Sequence, residues 1–285
     1  MMSKYKSLFI VILAYLLCFF IGLYVLEIIS FGIIYDILIV DIIATIIIYI
    51  FSLYYSNSSI YDPYWSVIPP FILLYFISIK IDINVQSYML LFSVLFWGVR
   101  LTFNWVRGWP GMHHEDWRYI DMRNYSGKYF QISNFLGIHL FPTLIVFACC
   151  VPMNSALDKQ IDIFTYLGFV ICFIGVLYEI ISDQQLYNYK KNNKGIIETG
   201  LWKYSRHPNY HGEILFWWGI YFYGVSIENV FNWIFAPIAM TIMFIYVSIP
   251  WIENKIIKTR PKYVDYKARV GVLSPELGYL KSLFK

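Results

Sequence analysis

Charge is what this chain has least of. Only 14% of its 285 residues are Asp, Glu, Lys or Arg, where an average globular domain carries roughly 25%. A surface built from so few charges does not stay in water, so a soluble globular fold is excluded. Cysteine is scarce as well. Cys18, Cys149, Cys150 and Cys172 all sit inside apolar runs, which argues against a disulfide framework or a thiolate metal centre. The net charge of +4 is too small to imply a nucleic-acid partner. There is no G-x-G-x-x-G after a strand, no phosphate loop, no C-x-x-C and no H-E-x-x-H. A separate soluble nucleotide domain has no room, so any nucleotide cofactor must bind among membrane helices and their loops. His113-His114-Glu115-Asp116 lacks an i,i+4 histidine pair, and no metal is expected.

What the chain does have is hydrocarbon. Hydrophobic residues reach 59% and aromatics 21%, the proportions of a polytopic membrane protein with aromatic belts at its interfaces. A crossing helix needs about 20 apolar residues. Candidate spans lie at 7–29, 33–55, 65–80, 86–106, 133–152, 163–181, 211–226 and 229–250. The expected fold is an all-α membrane helix bundle with about eight transmembrane helices, seven and nine being the neighbouring counts. The third and seventh spans are short, and Pro69-Pro70 should kink or break the third. With a cytosolic N-terminus, only Lys80 and Lys159 of the 22 basic residues fall outside, and Arg100 falls within a span. The positive-inside rule therefore places both termini in the cytosol. The first run is too long for a signal-peptide core, so no cleaved leader is expected. No internal repeat is visible, and residues 1–285 read as one integral membrane domain in contact with the lipid bilayer.

Polar residues among the spans mark candidate sites, because charge at the edge of hydrocarbon is costly. The densest run is Arg206-His207-Pro208-Asn209-Tyr210-His211-Gly212-Glu213. Pro208 suits a first helical turn, and a helix starting there offers free N–H groups and a positive dipole end to an anion. Asn209 and Glu213 share one face of that helix, and Arg206 brings a planar fork suited to phosphate. Glu179 and Asp183 are likewise four apart at the exit of the sixth span, either as a ribose clamp or as a polar helix end. Glu253 and the tyrosines of an amphipathic inner tail follow the last span. Arg100 and Asn104 face one way within the fourth span, where an arginine needs a partner or an anion. His139, inside the fifth span, either lines a cavity or is a satisfied core histidine. Asp62, ahead of Pro63, is a lone acid at the mouth of a kinked span. Burial would make it a proton donor, and helix capping is the plainer alternative.

The run Leu201–Glu213 resembles the signature of the steroid 5α-reductase and sterol-reductase superfamily, and the chain is most similar to its DUF1295 branch. The resemblance also takes in Trp97–Trp105, His114–Tyr119, Gly137–Pro142, Asp183-Gln184-Gln185 and the tail from Pro250 to Pro275. It makes residues 61–275 a reductase-like core and residues 1–60 variable N-terminal helices. It implies NADPH held on the cytosolic face, and hydride delivery to a C=C bond of an α,β-unsaturated, steroid- or isoprenoid-like lipid. Cofactor-binding residues carried over are Arg100, Asn104, Asp183, Arg206, His207, Asn209, Tyr210 and Glu213, with Glu253, Tyr263, Tyr266 and Arg269 from the tail. Asp62 is similar in placement to the reductases' catalytic acid, whereas Trp97 stands where they carry a tyrosine. Isoprenylcysteine carboxyl methyltransferase, in the same superfamily, is similar in the Arg-His-Pro-x-Tyr-x-Gly pattern and implies S-adenosylmethionine instead. A non-catalytic lipid-binding protein is the third reading.

Overall fold

The computed structural model describes residues 2–226, 229 and 231–273. Among them every regular element is helical. In chain order these are α1 (Lys4–Ile28), α2 (Ile33–Tyr55), α3 (Tyr64–Ser78), α4 (Val85–Gly108), α5 (Trp117–Ser126) and the single turn α6 (Phe130–Ser133). A π-helical stretch, Asn134–Leu140, leads into α7 (Phe141–Leu157). Then come α8 (Ile163–Asn192), α9 (Pro208–Gly224) and α10 (Phe235–Met243). A second π-helical stretch, Phe244–Ser248, joins α10 to α11 (Ile249–Thr259), and α12 (Tyr263–Arg269) closes the described chain.

The protein is an all-α membrane helix bundle. Among the described residues 6 helical stretches are long and apolar enough to cross a membrane, namely Lys4–Ile28, Ile33–Tyr55, Val85–Gly108, Trp117–Leu157, Ile163–Asn192 and Phe235–Thr259. The two spans expected to be short are α3, with 15 residues, and α9, with 17.

One local expectation is corrected. Pro69 and Pro70 do not break α3, which runs unbroken through both. Each proline removes one backbone donor, and α4 packs against the spot. A Cβ added to Gly98 would lie 2.8 Å from the Ser66 carbonyl and 3.0 Å from Pro70 Cγ, so glycine lets α4 close over the interrupted turn. Ser66 Oγ and Thr102 Oγ1, 2.8 Å apart, tie the same two helices. The helix of the sixth span continues past 181 to Asn192. Good helix formers and an i,i+4 hydrogen bond from Gln184 to Asn188 (2.8 Å) carry the ladder beyond the apolar run.

The chain divides into two compact units. Unit one comprises Met1–Ile81 and Trp97–Val151; unit two comprises Asp82–Phe96 and Pro152–Lys285. The core of unit one joins Val11, Ala14 and Cys18 of α1 to Ala44 and Ile48 of α2, with Tyr61, Tyr64 and Tyr119 against them. Unit two is organised on the α8–α9 pair. Gly168, Cys172 and Gly175 of α8 meet Gly212, Phe216 and Gly219 of α9 at backbone distance. A Cβ on Gly175 would lie 2.6 Å from the Gly212 carbonyl, and one on Gly168 would lie 2.8 Å from the Gly219 carbonyl. Between helices in lipid, association rests on this close packing, because hydrocarbon supplies no hydrophobic drive.

Candidate functional site

In unit two the site begins with a turn. Gly200 takes a φ of +62°, and a Cβ there would collide with Gln185, whose side-chain oxygen accepts from Leu201 N at 3.0 Å. Trp202 donates its indole N–H to the Ser182 carbonyl at 3.1 Å. These contacts dock the loop on α8 and aim the chain into α9, which starts at Pro208 as its sequence implies. The residue just ahead of the helix, His207, makes no side-chain cap, and the first N–H groups of a helix lie outside its intrahelical ladder. Asn209 Oδ1 is buried and has no hydrogen-bond partner among the described residues. Glu213, buried one turn on, accepts from Trp217 Nε1 at 2.9 Å. Glu179 of α8 is buried beside this turn, its Cγ 2.6 Å from where a Cβ on Gly212 would stand. The Tyr210 ring lies on His207, centroids 5.7 Å apart and nearly parallel.

Beneath α9 lies a hub built on Glu253. Its Oε1 receives Arg206 Nε at 2.7 Å, His207 Nε2 at 3.1 Å and the Tyr263 hydroxyl at 3.2 Å, while Lys267 Nζ reaches Oε2 at 2.7 Å. Arg206 Nη1 also donates to the Lys267 carbonyl at 3.1 Å and to that of Val270. Main-chain bonds complete the dock, from Arg206 N to the Gly271 carbonyl (3.0 Å) and from His207 N to that of Val272 (3.2 Å). The tail is thereby tied to the residues just ahead of α9. Burial pushes the His207 imidazole below its ordinary value, against the pull of Glu253; Nε2, facing a carboxylate oxygen, is the donor of that contact.

The tail residues named from sequence are placed as follows. Tyr263 and Tyr266 are buried, and the Tyr266 hydroxyl donates to the carbonyls of Trp202 and of Ser205 (3.3 Å for the latter). Arg269 is exposed and pairs with Glu198 at 2.9 Å. Asp183 lies half-buried on α8. Thus Arg206, His207, Glu253, Tyr263 and Tyr266 form one connected set, and Asn209, Tyr210, Glu213 and Glu179 a second set at the first turns of α9.

Arg100 and Asn104 belong to unit one. Both are half-buried on α4, and Asn104 Oδ1 accepts from Arg107 Nη2 at 2.8 Å. Asp62 lies in the same unit, where the Tyr119 hydroxyl donates to its Oδ1. Burial pushes Asp62 up to about 7, against the opposing influence of the Arg118 guanidinium and of the Tyr119 hydrogen bond. Arg118 itself is held two-pronged by Asp116, at 2.8 and 3.2 Å. The loop around residue 114 is stapled by Asn57 Nδ2 to the Met112 and His114 carbonyls (2.8 and 3.0 Å), and by Ser58 N to Glu115 (2.9 Å). Its polar residues therefore position α5, and with it Tyr119. His139 is buried, its Nδ1 on the Asn134 carbonyl at 3.0 Å.

Sequence reasoning missed Tyr119 and Lys267 as partners of Asp62 and Glu253. It also missed Asp41, a lone acid in the apolar run of α2. The only local signal was for Asp41, since an acid amid isoleucine and valine is conspicuous; the other pairings link residues far apart in the chain.

Residues 48–270 match the family model described as protein of unknown function (DUF1295). An uncharacterized protein of Schizosaccharomyces pombe is 26% identical over 258 residues, covering 79% of this chain and 75% of its own. No solved structure matches the chain.

Proposed function

This chain belongs to the DUF1295 family, and on the geometry above we propose that it is a membrane-embedded, NADPH-dependent reductase of a C=C bond in an α,β-unsaturated lipid, steroid- or isoprenoid-like. The observation that carries the reading is the Asp62–Tyr119 pair, a buried carboxyl and phenol in hydrogen-bond contact. An acid whose value sits near 7 is half protonated at neutral pH, the condition a general acid needs. The first turns of α9 suit the adenosine end of the cofactor. Their free N–H groups favour a phosphate, and the unpartnered Asn209 oxygen suits a ribose or amine hydrogen. Lys203, exposed in the adjoining loop, adds a cation. Arg206 and Glu253 act one layer further in, by fixing the tail and the start of α9. Bound NADPH supplies the hydride. Asp62 and Tyr119 hold the proton: the protonated acid donates to the phenolic oxygen, the reverse of the bond seen with the carboxylate, the phenol passes its own hydrogen on, and the α-carbon of the reduced bond takes the proton up. The positive-inside pattern puts the cofactor end on the cytosolic face.

A rate that depends on protonated Asp62 falls as pH rises through about 7. With NADPH oxidation by a lipid enone as the assay, Asp62→Asn is expected to lose about 10²-fold in rate and to abolish that titration. Tyr119→Phe should cost a similar factor. An unaltered pH profile in Asp62→Asn removes the residue from the mechanism.

A second reading, an S-adenosylmethionine-dependent methyltransferase of a lipid or lipidated carboxylate, is favoured by one observation. Two buried carboxyl groups, Glu179 and Glu213, stand at the first turns of α9, a setting that suits a cationic sulfonium. Thermal melting of the detergent-purified chain separates the two. A ligand present at 100 times its Kd stabilises by about 2.7 kcal/mol. NADPH is expected to raise the melting temperature. A rise with S-adenosylmethionine alone selects the methyltransferase, and a flat response to both indicates a non-catalytic lipid-binding protein.

A further inference from the structure

Asp41 plays no part in the reading above. It sits in the middle of α2 among isoleucines and valines, is 4% exposed, and is paired with no cation among the described residues. Its Oδ1 accepts from the Tyr64 hydroxyl at 2.6 Å. Behind Tyr64 runs a file of hydroxyls. Thr45 Oγ1 lies 3.2 Å from Tyr64, Thr143 Oγ1 lies 2.8 Å from Thr45, and the Tyr61 hydroxyl lies 2.8 Å from Thr143. Each hydroxyl owns one hydrogen. Thr45, Tyr64 and Thr143 also reach main-chain carbonyls, those of Asp41 (2.8 and 2.9 Å) and His139 (2.9 Å), and the shortest bond in the file is the one that ends on the Asp41 carboxyl, which makes that carboxyl an acceptor. Its second oxygen, Oδ2, receives no hydrogen bond among the described residues.

Asp41 also lines a cavity of about 100 Å³ enclosed by α1, α2 and α3. Cys18 and Ile72 form its buried wall, while Phe19, Leu23 and Phe71, exposed on the outer face, frame its mouth. An engineered apolar cavity of about 150 Å³ admits benzene, so this one takes a head group and a few carbons, and the remaining chain leaves through the mouth into lipid. An acid at membrane depth is costly unless a ligand or partner answers it. The family match starts at residue 48, which leaves Asp41 and all of α1 outside it.

We propose that this cavity is a second lipid site, which takes a single-chain lipid whose head group donates a hydrogen bond to Asp41. The site differs from the reductase substrate in kind, because an unsaturated carbonyl is an acceptor and Asp41 presents an acceptor.

The full chain in nanodiscs tests this with four probes of equal chain length: dodecan-1-ol, dodecylamine, dodecyl methyl ether and dodecan-2-one. Each competes against a diazirine-bearing dodecanol whose cross-links are mapped by mass spectrometry. The expected result is cross-linking to α1–α3, with the two donor heads competing about tenfold better than the ether and ketone, the scale of one hydrogen bond to a carboxylate. The amine outranking the alcohol identifies a cationic head, and the reverse order a neutral one. Asp41→Asn should erase the preference for donors. Ala44→Leu, which fills the cavity from α2, should remove the cross-link without touching Asp41. Equal competition by ether or ketone in the parent, or a cross-link that survives Ala44→Leu, overturns the proposal.

Discussion

Glu253→Ala is expected to destabilise unit two by about 3–5 kcal/mol, the usual result of removing one member of a buried ion pair. Arg206 Nε and His207 Nε2 would lose their acceptor in a protein interior, the two residues being 6% and 4% exposed. The Lys267 arm adds little, since that side chain is 43% exposed and screened. Glu253→Gln keeps the shape and one acceptor oxygen but loses the charge, so it should fall between the two. Arg206→Ala strikes the same hub, and the double variant should cost less than the two singles together, by more than the few tenths of a kcal/mol that independent sites show. Melting in detergent gives the stability. Limited trypsin digestion gives the location, because release of the tail frees the backbone at the exposed Lys262, Lys267 and Arg269 for cleavage. A Glu253→Ala chain that melts with the parent and resists trypsin equally would show that the hub does not hold the tail. The same experiment bears on function: if Arg206 works through Glu253, its loss weakens cofactor response and stability together.

The parts of this architecture that can be read from sequence are those governed by neighbours along the chain. Hydrocarbon runs mark the long spans because a lipid environment demands them continuously. Pro208 marks the start of α9 because its ring fits only a first turn. Contacts across the chain are a different matter. Arg206 and Glu253 are 47 residues apart, Tyr119 and Asp62 are 57, and no local pattern connects them. Arg206, Glu253 and Asp62 were visible as site candidates and Tyr119 as the end of the stretch His114–Tyr119, but which side chain answers which is a tertiary fact. Pro69-Pro70 illustrates the converse error. Judged locally it ends a helix; in the fold, Gly98 of α4 packs onto the interrupted turn and the helix continues. The Arg100–Asn104 face was legible as a face, yet Asn104 takes its hydrogen bond from Arg107, one turn further on.

Gly212→Val is expected to be the most damaging single substitution in unit two, at about 4 kcal/mol or more, beyond the usual range for overpacking. The reason is the nature of the obstacle. Even the first carbon of a side chain would stand 2.5 Å from the Gly175 carbonyl and 3.0 Å from the Glu179 backbone nitrogen. Backbone atoms cannot rotate aside as a side chain does, so α8 and α9 must separate, and the contacts at Gly168, Cys172 and Gly219 open with them. Gly212→Ala should already be severe, because its methyl group meets the same carbonyl. Gly108→Ala is the matching control: nothing lies within 4 Å of a Cβ there, at the end of α4, so it should be neutral or gain a few tenths of a kcal/mol from reduced chain entropy. Melting temperature and monodispersity in detergent score all three. Because Gly212 lies between Asn209 and Glu213 on α9, the milder alanine variant should also blunt any cofactor-induced shift in melting, beyond its own loss of stability. Should Gly212→Ala melt like Gly108→Ala, the close approach of α8 and α9 is wrong, and with it the placing of Glu179 beside the first turn of α9.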